Sequence, residues 1–290
     1  MPERNVARIV TAHQQREGAG FLIRRALPTQ DLESLDPFLM LDEVGPVTYA
    51  PGKALGAPDH PHRGMETVSY IIKGEKLHED STGKSQLIGP GDVQWMTAGA
   101  GIVHSEMPSA RILESGGLVH GFQIWLNLPA AKKGAQPGYQ HVARDDIPTA
   151  TGADGKAQVT VIAGEALGVS AAIGTHTPVW LQDWRLNAGA SLHIPVHLGF
   201  NMGAYVFDGE ILFGPHAQKT ARGQMAVFGP GDTIQARTDG KGKGGRFLLL
   251  GGDPIGEPVA WQGPFVMNTA EEITQAMHDY RSGAMGTIAR

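Results

Sequence analysis

Two stretches in the first half of the chain decide how the sequence is interpreted. Residues 56–70 read GAPDHPHRGMETVSY, and residues 94–108 read QWMTAGAGIVHSEMP. The first stretch contains a His-x-His pattern and the second a His-x-Glu pattern. These patterns supply four side chains of types that can bind a metal: His60, His62, His104 and Glu106. Because residues two positions apart on a strand share a face, each stretch predicts a strand that presents two such side chains together.

The residues around these patterns fit that arrangement. Pro61 enforces an extended backbone and donates no ladder hydrogen bond, which is typical of a strand start or an edge strand. Residues 97–101 read TAGAG, a small-residue turn that lets a strand bend and a substrate approach. If the two strands are neighbours in a barrel, the two pairs converge from opposite walls. Three nitrogens and one oxygen would suit a divalent first-row metal and leave two octahedral positions open.

The rest of the chain predicts an all-β protein. Short runs rich in β-branched or aromatic residues recur throughout, and each is bounded by Gly, Pro, Asp or Asn. The 40 glycines are spread along the 290 residues, as expected for many strands joined by tight turns. A single convincing helix is predicted near the end, where Thr269 and Glu272 form a capping box. Ile273, Met277 and Tyr280 follow at helical spacing, and Gly283 ends it.

An internal repeat predicts two related barrels in tandem. Residues 69–75 match residues 204–210, and a Gly-Pro-Gly-Asp turn follows at 89–92 in the first copy and at 229–232 in the second. We therefore expect two jelly-roll-like β-barrels. An N-terminal metal-binding domain would span 1–133, and a degenerate C-terminal domain with the terminal helix would span 134–290.

Composition limits the possible partners and the location. The formal net charge is −5 with basic and acidic residues interspersed, so we expect no direct contact with nucleic acid. No apolar run is long enough to span a bilayer, and the N-terminal residues lack a signal-peptide core. The chain has no cysteine, so a metal site must use imidazole and carboxylate. We expect a cytoplasmic monomer without a membrane partner.

The two opening stretches resemble the two cupin motifs in the form found in pirin-family proteins. The resemblance extends over essentially the whole chain. It implies a bicupin fold, an iron-binding N-terminal domain and, for several members, a quercetinase activity that opens a flavonol ring with dioxygen. Most cupins use the carboxylate of the first motif, here Glu66, as a ligand. In pirins that role passes to the position of Glu106. Glu66 is then expected to be a buried carboxylate that hydrogen-bonds to the site, with a role as metal ligand as the alternative.

Several polar and aromatic residues near the two motifs could either belong to the site or serve only the fold. Arg63 is expected to pair with a nearby carboxylate and not to bind substrate. Residues 78–81 read HEDS and are interpreted as a solvated turn, with a position at the pocket rim as the alternative. Four apolar side chains are expected to wall a pocket beside the metal, or else to belong to the core: Val68, Tyr70, Trp95 and Phe122.

The second half lacks the metal-binding pattern. When the repeats are aligned, His197 stands at the position of His62, but Pro195 replaces His60. Gly244 and Arg246 stand where His104 and Glu106 would be, and a cation at a metal position opposes binding. We therefore expect a metal-free second barrel in which His193 and His197 are ordinary barrel histidines.

Two functions follow from these expectations. The first is a dioxygenase with one divalent ion, Fe(II) by preference, although Mn, Ni, Co, Cu or Zn would bind in vitro. Its substrates would be a flavonol-like aromatic molecule and dioxygen, and Glu106 would act as ligand and general base. The alternative is a redox-sensing, metal-dependent regulator that binds a protein partner. A phosphosugar isomerase ranks last, because only Arg63 is available near the motif to bind phosphate.

Overall fold

A computed structural model describes residues 2–290, and strands dominate it. The strands before residue 145 are β1 Val6–Thr11, β2 His13–Glu17, β3 Phe21–Leu27, β4 Phe38–Tyr49, β5 Ala57–His62, β6 Met65–Lys73, β7 Lys76–Asp80, β8 Ser85–Ile88, β9 Val93–Thr97, β10 Ile102–Pro108, β11 Gly117–Asn127 and β12 Gly138–Val142. The later strands are β13 Thr149–Thr151, β14 Ala157–Ala163, β15 Glu165–Ala166, β16 Val169–Ser170, β17 Val179–Leu186, β18 Ser191–Pro195, β19 Asn201–Phe213, β20 Gln218–Ala221, β21 Gln224–Phe228, β22 Thr233–Arg237, β23 Gly245–Gly252, β24 Ala260–Gln262 and β25 Phe265–Met267.

Helices are few in residues 2–290. The α-helices are α1 Ala110–Ser115 and α2 Ala270–Arg281, and single 3₁₀ turns occupy Ala130–Lys132 and Arg144–Asp146. Neither α-helix has the length and apolar character needed to cross a bilayer. The all-β class predicted from the sequence is confirmed. Helix α1 was not predicted, and a helix this short carries little periodic signal.

Contacts divide the chain into two compact units. The first unit comprises Gln14–Arg24, Leu39–Arg144 and Ile255–Arg290, and it contains the histidine pairs. The second unit comprises the described residues through His13 together with Arg25–Phe38 and Asp145–Pro254. This division differs from the predicted boundary after residue 133, because the residues through His13, the internal segment Arg25–Phe38 and the terminal segment Ile255–Arg290 each belong to the unit built mainly by the other half of the chain. The metal-binding domain over 1–133 and the degenerate domain over 134–290 stay predictions.

Two sheets form the core of the first unit. One has the strand order β12-β9-β6-β11-β4-β3-β2, and the other has the order β5-β10-β7-β8. In the larger sheet Val68 lies between Trp95 on β9 and Ile124 on β11, and all three side chains are fully buried. Burial of each such side chain contributes about 1.5–3 kcal/mol. The smaller sheet carries the residues of the candidate site.

The second unit is built around a ten-stranded sheet with the main order β1-β21-β19-β23-β17-β14-β13. Its apolar core is rich in aromatic rings, and Phe213 meets Phe247 edge to face at 5.2 Å between centroids. Trp184 is buried in the same cluster and donates its indole N–H to the amide oxygen of Gln182. The unit therefore forms its own core from its own strands.

The repeated turns have the same backbone requirement in both units. Gly74 follows β6 with φ +85°, and Gly209, its match within β19, has φ +66°. Gly91 and Gly231, in the two Gly-Pro-Gly-Asp turns, have φ +92° and +146°. These values lie where a Cβ is strongly disfavoured, so glycine is required. The sequence repeat therefore reflects glycines with the same backbone requirement, although the Gly-Pro-Gly-Asp turns lead into strands that do not correspond, β9 in the first unit and β22 in the second.

Helix α2 has the N-terminal cap that was predicted for it. The Thr269 side chain accepts from the Glu272 N–H, and the Glu272 carboxylate accepts from the Thr269 N–H. Ile273 is buried and packs with Phe265, Met285 and Val103 of the first unit. This apolar contact explains why the terminal helix joins the unit that carries the histidine pairs.

Candidate metal centre

The two histidine-bearing strands are direct neighbours. Strand β10 pairs antiparallel with β5, and the register places His104 opposite His60 and Ile102 opposite His62. The predicted adjacency is confirmed. The expected approach from opposite walls is wrong, because the two pairs lie side by side on one sheet. A register shift between His104 and Glu106 interrupts the ladder at this point.

Three of the four predicted ligands meet in one group. The ring centroids of His60 and His62 are 4.9 Å apart, those of His60 and His104 are 4.3 Å apart, and those of His62 and His104 are 4.9 Å apart. One nitrogen from each ring can be chosen so that all three lie within 4.8 Å of one another. His62 and His104 are buried, whereas His60 is partly exposed. The cluster has the dimensions of a metal site.

The outer nitrogens of two rings are held by backbone carbonyls. His60 Nδ1 lies 2.7 Å from the carbonyl oxygen of Pro58, and His62 Nδ1 lies 3.3 Å from that of Pro264. An N–H that donates from Nδ1 leaves the Nε2 lone pair free for a metal, the arrangement typical of ligating histidines. The carbonyl of Pro264 comes from the terminal segment of the first unit.

His104 supplies the test of whether a metal fits here. Its Nε2 is buried and has no hydrogen-bond partner among the described residues. Burial of an unpaired polar atom costs free energy, which a bound metal ion would offset. Burial lowers the pKa of His62 to about 3, and burial together with neighbouring His62 lowers the pKa of His104 far below its usual value. The buried rings are therefore neutral, which is the form that binds metals.

Glu106 is placed beside this cluster and is not fully part of it. Its carboxylate groups with His104 and His78, and not with the three-histidine group. Lys76 Nζ donates to Glu106 Oε1 at 2.6 Å, and Ser69 Oγ donates to the same oxygen at 2.8 Å. Burial alone would raise the pKa of Glu106, but the Lys76 ammonium outweighs it and lowers that pKa to about 2. The carboxylate is firmly ionised.

His78 lies beside His104 and Glu106, and the sequence did not predict it there. It lies on β7, opposite Glu106 on β10, and is fully buried, so its assignment to a solvated turn is wrong. Its Nε2 is 2.9 Å from Asp80 Oδ2, Gln94 donates to its Nδ1 at 2.7 Å, and His104 Nδ1 is 3.5 Å away. His78 and Asp80 have the same two-residue spacing as the two recognised pairs, and that signal was available.

Arg63 and Glu66 occupy supporting positions. Arg63 Nη1 donates to Asp279 Oδ2 at 2.7 Å, so its predicted pairing with a carboxylate is confirmed. The buried Glu66 carboxylate accepts a hydrogen bond from Thr97 Oγ1 at 2.7 Å.

Trp125 contacts the ring of His62. Their ring centroids are 5.0 Å apart, and the two rings are nearly perpendicular.

The side chains expected to wall a pocket belong to the core. Val68 and Trp95 are 0% exposed, Phe122 is 2% exposed and Tyr70 is 3% exposed. Tyr70 and Phe122 stack on each other at 6.4 Å. Such burial leaves these side chains almost no surface for a ligand. The structure therefore supports the alternative that they belong to the core and do not wall a pocket.

In the second unit the counterpart of β10 is β22, which pairs with β18 as β10 pairs with β5, so the alignment of Gly244 and Arg246 with His104 and Glu106 is wrong. Arg246 lies instead on the counterpart of β11, where it forms an ion pair. Arg246 on β23 donates from Nε and Nη2 to the two carboxylate oxygens of the buried Asp183. The ring of His197 lies 5.2 Å from that of Trp180 and 4.7 Å from that of Phe200. His193 Nε2 lies 3.2 Å from Glu3 Oε1. These contacts support the interpretation of both histidines as ordinary barrel residues, and a metal-free second barrel stays a prediction.

Comparison with known proteins agrees with this architecture. Residues 20–126 match the family Pirin, and residues 181–286 match the Pirin C-terminal cupin domain. A pirin-like protein of Solanum lycopersicum is 43% identical over 98% of this chain and 93% of its own length. Pirin of Homo sapiens is 41% identical over 96% of this chain and 92% of its own length.

Solved structures show the same fold. A quercetin 2,3-dioxygenase from Acinetobacter baumannii superposes with a TM-score of 0.92 at 33% identity and covers 99% of this chain and 100% of its own. A bacterial pirin from Escherichia coli, solved with nickel(II), superposes with a TM-score of 0.67 at 19% identity, which shows the fold alone. The fold consists of two cupin domains, and the chain belongs to the pirin family.

Proposed function

We propose that this protein is a metal-dependent dioxygenase that opens the central ring of a flavonol such as quercetin. One observation carries the proposal: the imidazoles of His60, His62 and His104 meet in one group in which the buried Nε2 of His104 has no partner among the described residues, in a chain similar over its whole length to a quercetin 2,3-dioxygenase. The donor set fits a divalent first-row ion, with Fe(II) as our choice and Mn, Ni, Co, Cu and Zn as ions that would also bind.

The four predicted ligands would have different tasks. His60, His62 and His104 would hold one ion through Nε2, and Glu106 would complete the set with a carboxylate oxygen. Such an ion, when bound, would supply Lewis acidity toward the flavonol hydroxyl and reactivity toward dioxygen. His62 and His104 are buried, so solvent has little access to these two rings.

Glu106 is also the residue proposed to accept the flavonol proton. Its ion pair with Lys76 bears on this role, since a carboxylate with a pKa of about 2 has low affinity for a proton. The contact therefore favours Glu106 as a ligand over Glu106 as a base. The two roles separate experimentally, because a ligand controls metal content whereas a base controls only turnover.

The test is flavonol turnover with apoprotein reloaded with each metal in turn, in air and without oxygen. We expect quercetin to be consumed only with metal and oxygen both present, with one dioxygen used and one carbon monoxide released per molecule. Absorbance of quercetin and gas analysis measure the two sides of this balance. An iron-loaded protein that binds quercetin yet forms no product in air would overturn the proposal.

A second function, metal-dependent binding of a protein partner, is favoured by one specific observation. The four side chains expected to line an apolar pocket are buried in the core, whereas His60 in the three-histidine group is partly exposed. A redox switch needs a metal close to the surface and no substrate pocket. If turnover fails, affinity capture that depends on the oxidation state of bound iron is the experiment that supports this alternative.

A further inference from the structure

The surroundings of Glu106 contain a cation that the metal site itself does not require. Lys76 begins β7, the strand that pairs with β10, and its side chain is 19% exposed. Its Nζ donates to Glu106 Oε1 and to Ser69 Oγ, both at 2.6 Å, while Ser69 Oγ lies 2.8 Å from that same Oε1. Oε1 is therefore in contact with the Lys76 ammonium and with the Ser69 hydroxyl, whose single proton is also within reach of Gln123 Oε1 at 2.9 Å.

The second carboxylate oxygen has a different environment. Oε2 of Glu106 makes no hydrogen bond with any residue from 2 to 290, although the carboxylate groups with His104 and His78. A carboxylate can bind a metal through one oxygen or through both. With Oε1 engaged by the ammonium and the hydroxyl, only Oε2 is available.

We propose that Lys76 is a positioning residue that restricts Glu106 to a single metal-binding oxygen. The proposal rests on the metal site of the proposed function and deepens it. Three imidazole nitrogens and one oxygen leave two octahedral positions, whereas both oxygens of Glu106 would leave one. A reaction of flavonol with dioxygen needs two. Lys76 thereby preserves a position for the second substrate.

This arrangement has an energetic consequence that can be measured. The ammonium and a bound dication attract the same carboxylate and repel each other. Lys76 therefore weakens metal binding, which is the opposite of what a residue that merely supports the fold would do. The substitution Lys76→Met roughly keeps the length of the side chain and removes its charge. In this variant we expect the metal to bind about tenfold more tightly.

The experiment is a competition titration of apoprotein with Mn(II) against a chromophoric chelator. Lys76→Arg keeps the cation and should bind the metal like the unmodified protein. Lys219→Met is the matched control, because it removes a lysine from an exposed ion pair with Glu210 in the second unit. The control should leave the affinity unchanged, and a thermal melt verifies that each variant is folded.

A second measurement reports the open positions directly. Water-proton relaxation by bound Mn(II) scales with the number of waters on the metal, and we expect it to fall by roughly half in Lys76→Met. Unchanged or weaker metal binding in Lys76→Met would overturn the proposal. Tighter binding with unchanged relaxation would also overturn it, because Lys76 would then act through charge alone.

These outcomes are separable from the proposed function. An unmodified protein that binds Mn(II) and responds to Lys76→Met as expected, yet never consumes quercetin, would leave the role of Lys76 intact and refute the dioxygenase. A protein that turns over quercetin and shows no response to Lys76→Met would refute only the role of Lys76.

Discussion

The two units pair their strands in the same order and use one pair of corresponding strands in opposite ways. In the first unit β10, paired with β5, carries the buried Nε2 of His104, which has no hydrogen-bond partner in residues 2–290. In the second unit β22, paired with β18, carries Gln235, whose amide nitrogen lies 3.3 Å from Nε2 of His193 on β18. One barrel leaves polar atoms open toward a common point, and the other satisfies them internally. The difference teaches that a few side chains decide whether this scaffold binds a ligand or only stabilises itself.

The strongest test of this contrast removes a histidine from each unit. We expect His104→Ala to reduce metal affinity at least about a hundredfold, since loss of a ligand costs more than loss of an outer-shell partner. His197→Ala should leave one metal per chain in place. Elemental analysis after reloading measures both. A second equivalent of metal that disappears with His197→Ala would contradict the contrast between the units.

The carboxylate ligand is tested by a matched pair in the first unit. We expect Glu106→Gln to weaken metal binding about thirtyfold and to remove turnover, because the amide is neutral and a poorer donor. Glu66→Gln should retain most of the metal, since the structure shows Glu66 bonded to Thr97. Chelator competition measures both affinities. The opposite result would return the ligand role to Glu66.

The Arg246–Asp183 ion pair of the second unit is tested by its effect on stability. Asp183→Asn breaks the pair with Arg246, and we expect it to lower the free energy of unfolding by about 2 kcal/mol. This is below the cost of breaking a fully buried pair, since the Arg246 side chain is 21% exposed and water offsets part of the loss. Denaturant titration measures the change. Metal affinity should not alter, and a loss of metal would show that the two units are not independent in this respect.

The smallest expected effect concerns the residue behind His104. Asp80→Asn weakens the contact between the residue 80 side chain and Nε2 of His78. His78 in turn contacts His104. We expect metal affinity to fall about fivefold to tenfold, the lower range for an outer-shell partner. The same chelator competition measures it. Affinity equal to that of the unmodified protein would mean that His78 has no part in orienting His104.

Local patterns in the sequence were sufficient for the strands, the turns and the three-histidine group. His-x-His and His-x-Glu spacing fixes which side chains share a face, and the repeated glycine turns fix where strands begin. The apolar stripe of α2 predicts that the helix packs, yet contains no information on which unit supplies its partner. The Lys76–Glu106 contact joins residues 30 apart and depends on which strands pair, so spacing alone could not reveal it.

The contact between His62 and the carbonyl of Pro264 joins residues 202 positions apart in the chain. During synthesis on the ribosome, His62 emerges long before Pro264, and the first unit lacks its segment Ile255–Arg290 for most of translation. A nascent chain of this kind exposes the histidine cluster without the carbonyl that orients one of its rings. The histidine site is therefore complete only after the segment Ile255–Arg290 has been made and has packed onto the first unit.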